Sequence, residues 1–336
     1  MYQKNVRIAE LCRTAIPERA GIALGNFVPP EDQTGFQHIR VLDGGMATEL
    51  ERRGCNISGP LWSAHVLDTS PEIIAAVHLD YLRAGADCIS TTSYQISAKG
   101  YAELGRPSTD ADRALRQSVE LAMLACERYA AENPRPIRVS ASLGPYGASL
   151  HNGSEYHGRY AIGFEELIAF HGERLAVFAD TAADLIAFET IPSLEEARAI
   201  LTALREFPAL EAWISFTCRD RFHVAHGEPF RECAALLDHS PQAIAVGVNC
   251  TPPRLITSLI EEAENGRSRP VIVYPNSGEI WDATTRSWRG ESDPVHFGRM
   301  AREWYAAGAK AIGGCCRTGP AHIAAVREAW TASGAG

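Results

Sequence analysis

The chain lacks any apolar run of about 18 residues, the length that a membrane-spanning helix requires. Its first residues, MYQKNVRIAELCRTAIPERAG, are interrupted by charges and do not contain the apolar core of a signal peptide. The nine cysteines are odd in number and scattered, which does not suit a disulfide framework. We therefore expect a cytoplasmic protein with reduced thiols and no membrane contact.

The chain also lacks an excess of positive charge. Asp and Glu number 41 against 32 Lys and Arg, which gives a formal net charge of −9. A protein whose main partner is nucleic acid or an acidic membrane surface usually carries the opposite balance. The 336 residues, 46% of them hydrophobic, are enough to bury a large core. This composition argues against nucleic acid or a membrane as the main partner and favours small-molecule chemistry.

The sequence has no G-x-G-x-x-G fingerprint, since the glycines of LDGGMATEL have a different spacing. That absence disfavours a doubly wound sheet, the main alternative for an alternating α/β pattern. The sequence has instead eight short, almost continuously apolar segments, the pattern of strands that are covered on both faces. They cover residues 39–45, 87–93, 137–144, 184–190, 212–218, 243–250, 270–277 and 309–316.

Amphipathic segments separate these strands. One of them begins with Ser70 at the N-cap position and Pro71 at the first helical position, a typical helix start. The eight predicted helices cover residues 70–85, 109–133, 164–182, 193–207, 230–239, 252–265, 293–308 and 319–330. Eight strands alternating with eight helices in a chain of this length predict an α/β fold, a single (β/α)8 barrel of the TIM type.

The active site of such a barrel lies at the C-terminal ends of the strands, because the loops converge there. The predicted strands end in small or polar residues that can carry chemistry. These residues are Asp43, Thr91, Ser93, Glu189, Asn249, Cys250, Asn276, Cys315 and Cys316. The strand pattern therefore predicts that three thiols meet at one end of the barrel.

Three cysteines in a reducing compartment are good zinc ligands, and three protein ligands leave a fourth position open, as in catalytic zinc sites. Gly313 and Gly314 precede the cysteine pair and, without a Cβ atom, allow a close approach of the backbone. The alternative for any cysteine is a buried free thiol, which we expect of Cys12, Cys55, Cys88, Cys126, Cys218 and Cys233. We expect His223 and His226 to be loop residues, because cysteines already supply the metal ligands.

Several motifs resemble the homocysteine S-methyltransferase family. They are LDGGMATEL, LWSAHVL, GPYGASLHNGSEYHG, GVNC, IVYPNSGE and GGCCRT. The resemblance covers about residues 38–332 and is strongest to the S-methylmethionine-dependent enzymes. It implies a zinc-dependent barrel enzyme that methylates homocysteine to methionine. The expected domains are a barrel at residues 38–334 and, before it, an N-terminal extension of unknown role at residues 1–37.

The resemblance also implies roles for individual residues. The zinc ligands, which form the catalytic centre, map onto Cys250, Cys315 and Cys316. The contacts to the amino and carboxylate groups of homocysteine map onto Asp43, the Gly44 backbone, Thr91, Ser93, Glu189 and Asn249. A role for zinc agrees with thiol chemistry, because a free thiol of pKa about 8.5 is mostly protonated at pH 7 and metal binding deprotonates it.

The methyl donor implied by the family is a sulfonium compound, S-methylmethionine or the related S-adenosylmethionine. A sulfonium is a cation, so its binding site should offer aromatic faces and carboxylates. The candidates in the loops are Trp62, Tyr146, Tyr156, Glu279 and Trp281. The alternative for these aromatic residues is that they pack the long loops against the barrel rim.

Other functions stay open at this point. The chain could be a selenocysteine or betaine-linked methyltransferase of the same family, a non-catalytic zinc- or thiol-binding barrel, or a zinc hydrolase. Three thiolates would make a zinc-bound water less acidic, which disfavours a hydrolase, and a mere binder would not need the polar Asp43, Thr91 and Glu189. The expected partners are therefore homocysteine and a sulfonium donor, and nothing in the sequence indicates an oligomeric state.

Overall fold

The computed structural model describes residues 36, 38–57, 64–264, 269–282, 287–290 and 292–333. The predicted N-terminal extension, residues 1–37, lies outside the described residues except for Phe36, and Cys12 and Trp62 lie outside them as well. The described strands are β1 Cys88–Ser90, β2 Arg138–Leu143, β3 Leu185–Ile191, β4 Ala212–Phe216, β5 Ala243–Asn249, β6 Val271–Tyr274, β7 Ile280–Asp282, β8 Ser287–Arg289 and β9 Ala311–Ile312.

Seven of these strands form one parallel sheet in the order β1-β2-β3-β4-β5-β6-β9. Every residue of β4 and β5 is buried, as expected for strands that are covered on both faces. Strands β7 and β8 form a separate antiparallel pair in the loop that follows β6.

The segment of residues 40–43, the closing segment, joins the two edges of this sheet. Leu42 donates its backbone N–H to the carbonyl of Ile312 in β9 at 2.9 Å, and Asp43 donates to the carbonyl of Cys88 in β1 at 3.1 Å. Parallel bridges link the same segment to both strands. The predicted (β/α)8 barrel is confirmed. The first strand is shorter than the predicted 39–45, because the chain leaves the sheet after Asp43 and begins a helix at Met46.

The helices surround the sheet and include all eight that were predicted. They are α1 Met46–Arg52, α2 Ala64–Thr69, α3 Pro71–Arg83, α4 Ala98–Glu103, α5 Ser108–Glu132, α6 Phe164–Phe178, α7 Leu194–Leu204, α8 Phe230–Leu237, α9 Ile256–Glu264, α10 Pro294–Ala306 and α11 Pro320–Ala332. The short helices α1, α2 and α4 were not predicted. Among the helices in the described part of the chain, none combines the length and the apolar character needed to cross a membrane.

Alternate residues of the strands build two separate cores. In β3, Leu185 and Ala187 belong to a small cluster inside the barrel, whereas Ile186 and Phe188 belong to the large cluster between the sheet and the helices. This division follows from the two-residue period of a strand. The largest side chain of the inner cluster is that of Trp213. The barrel interior is therefore packed with side chains below the ends of the strands, which leaves the strand ends as the place for a site.

The closing segment makes the barrel sensitive to a side chain at Gly313. A Cβ atom placed there would lie 2.6 Å from the Leu42 Cβ atom and 2.7 Å from the Asp43 carbonyl oxygen. We expect Gly313→Ala to lower the free energy of unfolding by about 1–3 kcal/mol, because both neighbours are held by the barrel. Gly172→Ala is the control, since no atom in the described part of the chain lies within 4 Å of its Cβ position in α6. It should raise the stability by up to about 1 kcal/mol through helix propensity.

Denaturant unfolding of the two variants beside the wild type measures both changes. A Gly313→Ala variant as stable as the wild type would contradict this account of how the barrel closes.

Candidate active site

A cavity of about 1060 Å³ opens at the C-terminal ends of the strands. Nine residues were predicted as metal ligands or homocysteine contacts. Seven of them line the cavity, namely Asp43, Gly44, Thr91, Glu189, Cys250, Cys315 and Cys316. The other two, Ser93 and Asn249, are fully buried and are not among its lining residues. The cavity thus collects side chains from the closing segment and from the ends of β1, β3, β5 and β9.

The three predicted cysteine ligands form a single cluster. Their sulfur atoms all lie within 4.8 Å of one another, and the Sγ atoms of Cys250 and Cys316 are 3.6 Å apart. Two sulfurs bound to one tetrahedral zinc at about 2.3 Å would be about 3.8 Å apart. The spacing of the thiols therefore fits a single metal ion.

The backbone around the cysteines is held by hydrogen bonds between neighbouring strand ends. Cys250 follows β5 with a φ of 49°, a left-handed conformation that is uncommon for a residue with a Cβ atom. Its N–H donates to the Tyr274 carbonyl at 3.3 Å, and the N–H of Cys315 donates to the Pro275 carbonyl at 2.8 Å. Strained backbone of this kind persists where the surrounding structure enforces it, commonly at functional sites.

Hydrogen bonds among the thiols set their acidity. The thiols of Cys315 and Cys316 donate to Cys250, which lowers the pKa of Cys250 well below its usual value. The same interactions with Cys250 raise the pKa of Cys315 and of Cys316. Without a cation, ionisation of Cys250 therefore opposes ionisation of Cys315 and Cys316. A thiophilic divalent ion would allow all three thiols to ionise, so the donor set fits such an ion.

Two buried carboxylates, Asp43 and Glu189, line the cavity with the cysteines. Burial raises the pKa of Asp43 to about 8, and the charge of Glu189 contributes to the rise. Burial raises the pKa of Glu189 to about 7, and the charge of Cys250 adds to it. Asp43 accepts a hydrogen bond from the Ser90 N–H at 2.7 Å, and Glu189 accepts one from the Ser142 hydroxyl. Neither carboxylate forms an ion pair within the described part of the chain, so a substrate ammonium would be a suitable counter-ion.

A chain of hydroxyl groups lies beside these carboxylates. The Oγ1 atom of Thr91 and the Oγ atom of Ser93 are 2.6 Å apart, and the Ser93 hydroxyl donates to the Ser142 carbonyl at 2.7 Å. The Ser142 N–H donates to Thr91 Oγ1 at 3.0 Å. Ser93 therefore ties β1 to β2 and orients Thr91, which is the member of the pair that reaches the cavity.

Both polar atoms of the Asn249 side-chain amide form hydrogen bonds to Thr190. Its Oδ1 atom accepts from the Thr190 N–H at 2.7 Å, and its Nδ2 atom donates to the Thr190 hydroxyl at 2.8 Å. Thr190 has a φ of 63°, which is unusual for a β-branched residue. In this structure Asn249 thus fixes the strained backbone next to Glu189, a role that its position at a strand end did not indicate.

The loop after β2 brings further side chains to the cavity, those of His151, Glu155 and Tyr156. The Tyr156 Oη atom lies 3.5 Å from the Cys250 Sγ atom. Tyr156 was a predicted donor contact, but Glu155 was not predicted as a site residue. A short 3₁₀ turn, Ser154–Tyr156, carries both residues.

Glu196 of α7 is completely buried and anchors the start of this loop. Its Oε1 atom accepts from the Tyr146 N–H at 2.6 Å and from His171 Nε2 at 3.0 Å, and its Oε2 atom accepts from the Tyr160 hydroxyl. Burial lowers the pKa of His171 to about 4, so the imidazole is neutral at pH 7. The sequence gives no signal for this role, because an acidic residue in the first turn of a helix is ordinary and the partners lie 25 to 50 residues away.

The homocysteine S-methyltransferase family profile matches residues 40–330, which include every cavity residue named above. The homocysteine S-methyltransferase YbgG of Bacillus subtilis (strain 168) is 48% identical over 299 residues, 87% of this chain and 94% of that protein. The chain belongs to the homocysteine S-methyltransferase family. The resemblance inferred from the motifs is thereby confirmed, and the protein is an enzyme that transfers methyl groups.

Two further members of the family bear on the site. The crystal structure of the homocysteine methyltransferase MmuM from Escherichia coli in its metallated form matches with a TM-score of 0.79 and 44% identity. The match covers 87% of this chain and 96% of that chain. The selenocysteine Se-methyltransferase of Brassica oleracea var. italica is 43% identical over 306 residues, 86% of this chain and 88% of that protein.

Two of the five residues that were predicted to contact the methyl donor line the cavity. Tyr156 and Glu279 line the cavity. The ring of Tyr146 packs edge-on against Tyr160, with 5.4 Å between the ring centroids, and is not among the lining residues. Trp62 lies outside the described residues, and Trp281 lies in β7, where its backbone pairs with Trp288 of β8.

Proposed function

We propose that this enzyme transfers a methyl group from a sulfonium donor, S-methylmethionine in the first place, to homocysteine and so forms methionine. The observation that carries the proposal is the three-thiol cluster of Cys250, Cys315 and Cys316 in the same cavity as the buried Asp43 and Glu189. Thiols suit a metal that activates a thiol substrate, and buried carboxylates without an ion-pair partner among the described residues suit an amino acid ammonium.

We further propose that the metal is zinc. Cys250, Cys315 and Cys316 would hold it, because soft thiolates at the observed spacing match a zinc site with an open fourth position. Bound zinc would supply the positive charge that keeps a substrate thiol ionised at neutral pH. Three free thiols used as ligands need a reducing compartment, which supports the cytoplasm as the place of action.

The cavity carboxylates would orient homocysteine. Neither Asp43 nor Glu189 has a counter-ion among the residues that the structure describes. An ammonium group between them would supply one and would favour their ionised forms. Thr91, oriented by Ser93, offers a hydroxyl to the amino acid, and the Gly44 backbone lies at the same wall. The side chain of homocysteine can then reach the cysteine cluster with its sulfur.

The transfer is a single displacement. The homocysteine thiol first loses its proton to solvent. Its sulfur then forms a bond to the methyl carbon while the bond from that carbon to the donor sulfonium breaks, and the electron pair stays on the donor sulfur. Both sulfurs end as neutral thioethers, so S-methylmethionine and homocysteine give two molecules of methionine. Because the step needs no general base with a tuned pKa, positioning supplies much of the rate increase.

Selenocysteine is a second candidate acceptor. The observation that favours it is the 43% identity to a selenocysteine Se-methyltransferase. A selenolate is a soft metal ligand like a thiolate, so the same cysteines and carboxylates would serve selenocysteine. Parallel assays with homocysteine and selenocysteine would decide which acceptor has the higher kcat/KM.

The first prediction of this proposal concerns the metal ligands. Cys250→Ser, Cys315→Ser or Cys316→Ser should remove most of the zinc and most of the activity, because a hydroxyl is a poorer zinc ligand than a thiolate. Cys126→Ala is the control, since Cys126 lies on α5 and packs against the large core cluster. Elemental analysis and a methionine-formation assay measure both effects. Stoichiometric zinc in Cys316→Ser would refute the assignment.

The second prediction concerns the acceptor. Asp43→Asn or Glu189→Gln should raise the KM for homocysteine roughly tenfold or more, because each change removes a charged partner worth about 1.5–3 kcal/mol. The KM for the donor should change much less. Steady-state kinetics with each substrate varied in turn separates the two effects. If homocysteine kept its KM in both variants, its amino group would have to bind elsewhere.

The third prediction concerns the donor. S-methylmethionine should have a higher kcat/KM than betaine, because its own amino acid group can use polar residues of the cavity that betaine is too short to reach. The two donors are compared at saturating homocysteine in a methionine-formation assay. A higher kcat/KM for betaine would refute the donor assignment and leave the three-thiol metal site in place.

A further inference from the structure

The cavity carries an excess of negative charge. Its lining residues include five carboxylates, those of Asp43, Glu51, Glu155, Glu189 and Glu279. Among the described lining residues, the basic side chains are those of Arg317 and His151. Arg317 is already engaged, with Nε 3.2 Å from a Glu279 oxygen and Nη1 3.8 Å from a Glu51 oxygen. The other three carboxylates, those of Asp43, Glu155 and Glu189, have no ion-pair partner among the described residues, so they are available to cationic ligands.

Glu155 differs from Asp43 and Glu189 in the hydrogen bonding of its carboxylate. Its Oε2 atom is shielded from solvent and has no hydrogen-bond partner among the described residues. By contrast, Asp43 accepts from Ser90, and Glu189 accepts from Ser142. Burial raises the pKa of Glu155 to about 7, and the charge of Cys250 contributes. A buried acceptor without a partner is unfavourable, and a positive ligand beside it would offset that cost.

The loop holds Glu155 close to the cysteine cluster. Gly153 adopts a left-handed φ of 83°, and Asn152 Oδ1 accepts from the Ser154 N–H at 3.1 Å, which together start the 3₁₀ turn. The turn packs tightly, because a Cβ atom at Gly147 would lie 2.5 Å from the Glu155 nitrogen. The next residue, Tyr156, places its hydroxyl 3.5 Å from Cys250 Sγ. Glu155 lines the same cavity as the three cysteines, and its carboxylate is close enough to Cys250 for the two charges to interact.

The geometry of methyl transfer decides which cation belongs there. The methyl carbon must lie about 3–3.5 Å from the homocysteine sulfur, on the line to the donor sulfur. The positive sulfur of a sulfonium donor is one bond beyond that carbon, whereas the ammonium of an amino acid donor is several bonds farther away. Of the two cationic groups of the donor, the sulfonium is therefore the one nearer to the cysteine cluster.

We propose that Glu155 is a specificity-determining residue that selects a sulfonium donor by facing its positively charged sulfur. The inference rests on the proposed function and adds the residue that recognises the donor. Tyr156, next to it in the turn, also lines the cavity.

The chemistry limits what Glu155 does for the rate. The sulfonium loses its charge as the methyl group leaves, so a carboxylate beside it stabilises the bound donor at least as well as the transition state. Glu155 therefore acts on donor binding and on selectivity. Glu155→Gln should raise the donor KM and leave the homocysteine KM unchanged.

A pair of matched ligands tests the role of the charge directly. S-methylmethionine and 2-amino-5-methylhexanoate have nearly the same shape, with a positive sulfur in the first and a neutral carbon in the second. Calorimetric titration of the zinc-loaded wild type without homocysteine should show a preference for the sulfonium of roughly tenfold or more. Glu155→Gln should remove most of this preference, and Glu155→Asp should keep part of it.

Glu51→Gln is the matched control, because it removes the same charge from the same cavity at an exposed side chain. It should leave the ratio of the two dissociation constants unchanged. The ratio is internal to each variant, so a general loss of stability does not affect it.

Three results would overturn this role of Glu155. Equal weakening of both ligands in Glu155→Gln would mean that Glu155 contacts the shared ammonium or only supports the loop. An unchanged ratio, or no preference in the wild type, would also overturn it. Methionine formation by the wild type is measured separately. If the wild type forms methionine but Glu155→Gln keeps the wild-type ratio of dissociation constants, only the role of Glu155 is refuted. If Glu155→Gln loses the preference but the wild type forms no methionine, only the transfer reaction is refuted.

Discussion

The hydrogen bonds of the closing segment hold the functional end of the barrel together. Leu42 and Asp43 donate to β9 and to β1, and Gly314 donates back to the Asp43 carbonyl at 2.9 Å. The same contacts that complete the ring therefore set the position of the Asp43 carboxylate relative to the cysteine pair at 315–316. Barrel closure and site geometry depend on one set of bonds, and the close approach of Gly313 to Leu42 makes that set possible.

Charge is the second constraint on the site. Hydrogen bonding to Cys250 raises the pKa values of Cys315 and Cys316, and burial raises those of Asp43 and Glu189, so this site disfavours negative charge when no cation is bound. A metal ion, a substrate ammonium and a sulfonium donor would each compensate part of this negative charge. In the proposed reaction the sulfonium and the thiolate neutralise each other, so the products have less attraction for the site than the substrates, which favours their release.

The sequence predicted the barrel well because the relevant signals are local. Strand periodicity, helix start signals and the rule that barrel sites lie at strand ends were enough to predict that the three cysteines meet. The extent of the first strand was not predictable in the same way. It depends on where the chain leaves two neighbouring strands, and the hydrophobic pattern continues past that point.

The parts of the site that sequence reasoning missed depend on contacts between distant residues. Asn249 lies at a strand end, but its amide is satisfied by Thr190, a partner 59 residues away. Glu196 resembles any helix-capping acid until the loop after β2 folds onto it. Glu155 is distinguished by a buried oxygen that has no hydrogen-bond partner in the described part of the chain, which no sequence pattern can indicate.

X-ray absorption at the zinc edge tests most directly the claim that three cysteines hold the metal and leave a position for the substrate sulfur. We expect three sulfur neighbours at about 2.3 Å in the substrate-free enzyme and a fourth when homocysteine is added. Methionine should add no fourth sulfur, because a neutral thioether is a weak zinc ligand. A sulfur count that stays the same with and without homocysteine would contradict the account.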